Sequence, residues 1–147
     1  MNTLDILQGT NGNSPSSVFT LSTGTLVSGE VIVIGTSDME TITITNGSVF
    51  HTEPFQFNGD DALVIKFGGT TTDVFGNPGN DPGSNWSGNG VSTANQNIEL
   101  IPGIISGDVD GWTDPSVRFQ TVSTSPAGNG GLDGFGIAPV SGGNIPP

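Results

Sequence analysis

An all-β chain folded as a two-sheet sandwich with long Gly/Asn/Pro-rich loops is expected here, and three features of the sequence carry that expectation. Apolar side chains fall on every second position in short runs; Leu63, Ile65 and Phe67 share one face, Val64 and Lys66 the other. Its 24 Gly and 10 Pro exclude long helices, and the abundant Ile, Val and Thr favour strands. Turn signals recur at short intervals, which gives about eight or nine strands at the spacing of a sandwich. The 147 residues suffice for one domain with a core of its own.

Taken in order, residues 4–7 are a short apolar start and residues 8–17 a loop of Gly, Asn and Ser. Residues 18–21 read as a strand and residues 22–24 as a turn. Leu26 and Val27, followed by Ser28-Gly29, read as another turn, leading into a strand over 30–34 with Ile32 and Ile34 inward. Residues 41–45 alternate Thr with Ile, so a strand with Ile42 and Ile44 inside is expected, closed by a turn at Asn46-Gly47. Residues 50–57 suit an edge strand bent at Pro54. The clearest signal is the hairpin of residues 63–67 and 70–75 around Gly68-Gly69. The loop after it ends on Trp86, which is expected to pin it to the body of the domain. Strands over 97–101 and 117–122 follow, and residues 132–137 pack back through Phe135. The expected core is Ile32, Ile34, Ile42, Ile44, Phe57, Leu63, Ile65, Phe67, Ile98, Leu100, Val117 and Phe119. No long helix is expected; a single helical turn within 78–86 or 92–97 is compatible with the sequence. Residues 1–138 form the domain, and 139–147 a flexible or partner-binding tail.

Acidic residues number 14 against Lys66 and Arg118, for a formal charge of −12. Such a surface repels a phosphate backbone and an anionic membrane alike, so neither nucleic acid nor a membrane is an expected partner. No apolar run approaches the length of a membrane span. The absence of Cys excludes disulfides, thiolate nucleophiles and Cys-ligated metals. Charged residues make up only 11%, which suits a secreted or surface-assembled protein. The opening residues lack a leader pattern, so a secreted form would be the mature protein or a fragment.

Four pieces of the central region stand in a particular order: Asn58-Gly59-Asp60-Asp61-Ala62, Asp73-Val74-Phe75-Gly76, Asp81-Pro82-Gly83-Ser84-Asn85-Trp86 and Ser92-Thr93-Ala94-Asn95-Gln96-Asn97. Asp114-Pro115-Ser116 before Phe119, and Leu132-Asp133-Gly134-Phe135-Gly136, continue the series. In order and spacing they resemble the bacterial lamin-tail domain over residues 4–136. The resemblance implies an immunoglobulin-like β-sandwich, which in bacteria is typically joined to secreted enzymes, nucleases among them, or to surface proteins. Where that family often has an Arg after the strand ending here at Ile101, this chain has Pro102. The family also opens with two strands that find no match here. Their loss would leave sheet edges open to a second chain. The tail, or residues 2–17, would then serve as the strand lent to a neighbour. The competing account has residues 4–7 folding back in place of the lost strands.

Candidate sites are few. His51 is the single histidine, and Ser48, Glu53 and Asp60 are near it only in sequence, so a surface or half-buried strand histidine is the preferred reading over a catalytic triad. Asp60 and Asp61 are adjacent and would point to opposite faces of a strand; turn or capping work suits them better than paired-carboxylate catalysis. Asp108, Asp110 and Asp114 alternate in a Gly-rich loop as calcium ligands do, though without the twelfth-position Glu of an EF-hand. The plainer reading is solvated turn aspartates. Calcium is the ion expected if one binds, with Asp73 and Asp81 joining Asp60 or Asp61 should the loops converge; no cofactor is required. Trp86 and Trp112 are expected to anchor loops, with an exposed sugar-binding platform as the alternative. Asn46-Gly47-Ser48 and Asn85-Trp86-Ser87 match the glycosylation pattern at a level chance explains.

These readings converge on a non-catalytic protein at the cell surface or outside the cell, with structural or interaction work. A self-associating filament or surface-layer subunit comes first. The alternative is a binding module, for carbohydrate or another surface ligand, from a larger secreted hydrolase or nuclease.

Overall fold

A computed structural model describes residues 3–128 and 130–139. The fold is all-β. Among the described residues, ten strands are joined by loops, and one α-helix has 6 residues. Strands β1 (Leu4–Gly9), β2 (Ser16–Leu21), β5 (Ala62–Phe67) and β6 (Thr70–Phe75) form a four-stranded antiparallel sheet in the order β2-β1-β5-β6. The opening segment is therefore an inner strand of its own sheet. β1 pairs with β5 from Leu4↔Phe67 to Gly9↔Ala62, so residues 2–17 are not a strand lent to a neighbour. Of the tail expected over 139–147, all but Pro139 lies outside the described residues.

The β5–β6 hairpin forms where expected. Gly68 and Gly69 hold φ of 59° and 81°, the paired positive values that a tight hairpin turn requires. β9 (Asn97–Leu100) and β10 (Phe119–Ser123) make a second antiparallel pair, and β7 (Ser87–Gly88) and β8 (Val91–Ser92) a small third one. The two larger antiparallel units meet through aromatic rings. Phe75 of β6 lies 5.4 Å from Phe119 of β10, edge to face, and Trp112 fills the space beside both at 4.8 and 5.6 Å.

Residues 41–45 depart from the expected strand. They lie in helix α1 (Glu40–Thr45), which links β3 (Ile32–Gly35) to β4 (Val49–Thr52) as neighbouring parallel strands. Parallel strands need such a crossover, whereas antiparallel ones need only a turn. The threonines that mimic strand alternation satisfy themselves inside the helix: Thr43 Oγ1 donates to the Met39 carbonyl at 2.8 Å and Thr45 Oγ1 to that of Thr41 at 2.8 Å. Gly47, at φ 82°, ends the helix, with its N–H on the Ile44 carbonyl and the Ser48 N–H on that of Thr43. This pairing is the Schellman stop. A left-handed glycine serves a hairpin and a helix end equally, which is why Asn46-Gly47 reads as a hairpin turn. The short 3-10 turns, Thr10–Gly12, Ser37–Met39 and Pro115–Val117, all lie outside the two windows expected to hold one.

The core is also placed differently. None of the side chains expected to be buried is fully so; Ile44, Phe67 and Val117 are exposed, and the others are half-buried. Among the described residues, burial belongs to Ile6, Val33, Ala62, Val74, Val91, Trp86, Trp112 and Pro115, together with the polar Gln8, Thr43, Asp60, Asp61 and Asn97. In β3 it is Val33, between the two isoleucines, that turns inward. The strands are too short and the sheets too small to bury whole faces, so the interior is completed by loop aromatics and hydrogen-bonded polar groups.

Candidate functional site

The loops between strands are held by aspartates. Asp61 is fully buried and accepts from the Gln8 amide at 2.8 Å and from the Asn11 backbone N–H at 3.1 Å. Its own carbonyl accepts from Trp86 Nε1 at 2.8 Å, which ties the end of the long loop to the start of β5. The Asn11 amide, with its nitrogen turned inward, donates to Asp60 at 3.1 Å. Burial pushes the Asp60 carboxyl above its ordinary range, and the charges of Asp61 and then Asp81 push the same way. Loops 9–13 and 80–81 do converge here, since a Cβ on Gly12 would stand 3.2 Å from the Asn80–Asp81 peptide.

Among the expected calcium ligands, the Asp108 and Asp114 carboxylates accept hydrogen bonds from nearby groups. Asp108 takes the Asp110 N–H at 2.9 Å on its own carboxylate and gives its N–H to Asp73 at 2.8 Å. Asp114 caps the Pro115–Val117 turn, accepting from the Ser116 N–H at 2.9 Å and the Ser116 hydroxyl at 2.7 Å. Among the described residues, no group of three or more His, Asp or Glu side chains is placed to hold a metal ion. Asp73 faces Asp108 and Asp81 lies by Asp60, so the acidic residues divide between two loop junctions.

His51 sits in β4, half-buried, with its ring 6.0 Å from that of Phe19. The Ser48 hydroxyl donates elsewhere, to the Gly136 carbonyl at 2.6 Å. Both tryptophans are buried and anchor their loops, Trp112 through its backbone N–H to the Gly76 carbonyl at 2.8 Å and through its ring against Phe75 and Phe119. Neither offers a flat platform to solvent. The two glycosylation-pattern amides are engaged: Asn46 Nδ2 donates to the Phe135 carbonyl and Asn85 Nδ2 to Ser92 Oγ, at 2.8 and 2.7 Å.

What sequence reasoning missed is a cleft of about 450 Å3 at the end of the parallel pair. Loop 25–31, the α1–β4 turn and residues 136–138 enclose it, and Leu26, Val49 and Ile137 present exposed apolar side chains there. The signal was Leu26-Val27, an apolar pair within an otherwise polar run, which reads as part of a turn. Glu30 is the cleft's one ionisable side chain, and its carboxylate accepts the Val27 N–H at 2.9 Å.

Compared with known proteins, the chain matches no family model, no curated protein and no solved structure. Among the described residues, no helix is long and apolar enough to cross a membrane.

Proposed function

We propose that this chain is a non-catalytic structural or interaction protein of the cell surface or extracellular space that associates with copies of itself. The observation that carries the reading is the uncovered apolar cleft of Leu26, Val49 and Ile137. Parallel strands are ordinarily covered on both faces, and a two-stranded sheet is marginal unaided. Here the β3–β4 pair leaves Val49 open to water, as a surface made for a partner does. The polar chemistry supports the same reading, because Asp61, Asp73, Asp108 and Asp114 are spent on joining loops.

An immunoglobulin-like sandwich of lamin-tail type is part of the proposal. It rests on the ordered motif series and on the ring contact between Phe75 and Phe119 that joins the two larger antiparallel units. The test is sedimentation velocity of the 147-residue chain over a wide concentration range, with negative-stain microscopy of the concentrated sample. Growth into oligomers or filaments is expected. A single monomeric species at every concentration would contradict the reading.

A further inference from the structure

The edges of the four-stranded sheet are poor places for a second chain. β6 is covered along its outer side: the Val74 N–H donates to the Asp108 carbonyl at 2.7 Å and the Trp112 N–H to that of Gly76 at 2.8 Å. On the other edge, Leu7 faces Ser17 and Ile6 faces Phe19, which leaves Val18 as an extra residue in β2. A bulge of this kind bends an edge strand and blocks pairing. The parallel pair ends at an open cleft. Beside it Leu26, Val49 and Ile137 are 55%, 56% and 58% exposed around one cleft.

The chain leaves the described residues at this same cleft. Ala138 lines it, Pro139 follows, and residues 140–147 lie beyond. Residues 140–147 carry no charge and include Val140 and Ile145. Fully extended, they reach roughly 28 Å. An uncharged segment meets a second body of charge −12 without the repulsion that two such bodies packed face to face would meet.

We infer that the cleft between loop 25–31, the α1–β4 turn and residues 136–138 receives residues 140–147 of a second copy of this chain. The inference rests on the self-association reading and specifies its contact. Each copy has one arm and one cleft, so the contact is head-to-tail and propagates. Val140 and Ile145 bring the apolar groups that Leu26, Val49 and Ile137 of the cleft receive.

The test uses three forms of the protein: the full chain, a chain ending at Pro139, and a full chain carrying Leu26→Asp and Val49→Asp. Both substituted side chains are exposed, so the fold is expected to persist, checked by circular dichroism. The full chain should assemble while the other two sediment as monomers. Mixed, those two should form a one-to-one dimer and nothing larger, because together they hold one open cleft and one free arm. A synthetic peptide of residues 140–147 should bind the chain ending at Pro139, and tenfold or more weakly once Leu26→Asp is added. If the chain ending at Pro139 assembles like the full chain, or the mixture yields no dimer, this contact is wrong and self-association stands by another surface. If the full chain is monomeric while the peptide binds the shortened one, the arm fills its own cleft, and both readings are overturned.

Discussion

Asp61 has no exposed surface and two donors aimed at its carboxylate, the Gln8 amide and the Asn11 N–H. Removing the acceptor strands both donors in the interior, and hydrogen bonds to a charged group are the costly ones to lose. Asp61→Ala is expected to destabilise by about 3 kcal/mol, read as a lower urea midpoint at unchanged slope. Its neighbour behaves oppositely. The folded-state pKa of Asp60 is raised, so the folded chain holds that proton more tightly than the unfolded one, and ionisation works against folding. The penalty is absent below the ordinary value of 3.8, grows as pH rises through the raised folded value, and is complete above it. Asp60→Asn should therefore raise the melting temperature at pH 7, and the gain should fade as the pH is lowered past 3.8. A gain of equal size at every pH would show that ionisation is not its source. The sequence reads both carboxylates as turn or capping residues, whereas Asp61 takes its donors from Gln8 and Asn11, far off in the chain. The Gln8 partner of Asp61 was not legible, because a buried glutamine at the start of a polar run differs in no local way from an exposed one.

At the scale of elements, residues 40–45 separate two readings of one pattern. If they formed a strand with the isoleucines inside, a lysine at position 44 would be ruinous. In α1, Ile44 is exposed and Thr43 is fully buried. Ile44→Lys should change stability by no more than about 0.5 kcal/mol, and Thr43→Lys by several times that, measured side by side in urea. Gly88 offers a second check. A Cβ there would run into the Asp114 carboxylate, so Gly88→Ala should loosen the cap on the Pro115–Val117 turn and lower the melting temperature. The hairpin at Gly68-Gly69 and the strands around residues 97–100 and 119–123 were readable because period-two runs there are bounded by turn residues. The helix was not, since alternating Thr and Ile has the period of a strand and the threonine hydroxyls find their carbonyls only once the turn has formed. The central place of β1 was hidden too; a few apolar residues before a Gly-rich loop do not reveal that β5 will pair with them.

Over the whole molecule, polar and apolar roles are divided in an unusual way. Carboxylates and amides take part in the interior junctions, while Leu26, Val49 and Ile137 stand exposed around one cleft beside β3 and β4. All-β class was visible in composition and period. The cleft was invisible because it forms from residues near 26, 49 and 137, which no local pattern links. Its use as the contact between copies is the central claim, and hydrogen–deuterium exchange of the full chain at low and high concentration reads it most directly. The account predicts that amides over residues 25–32 and 46–50 gain protection as concentration rises, while those of β5 and β6 stay as they were. Exchange at 25–32 and 46–50 that is the same at both concentrations, in a sample shown by sedimentation to have assembled, would contradict it.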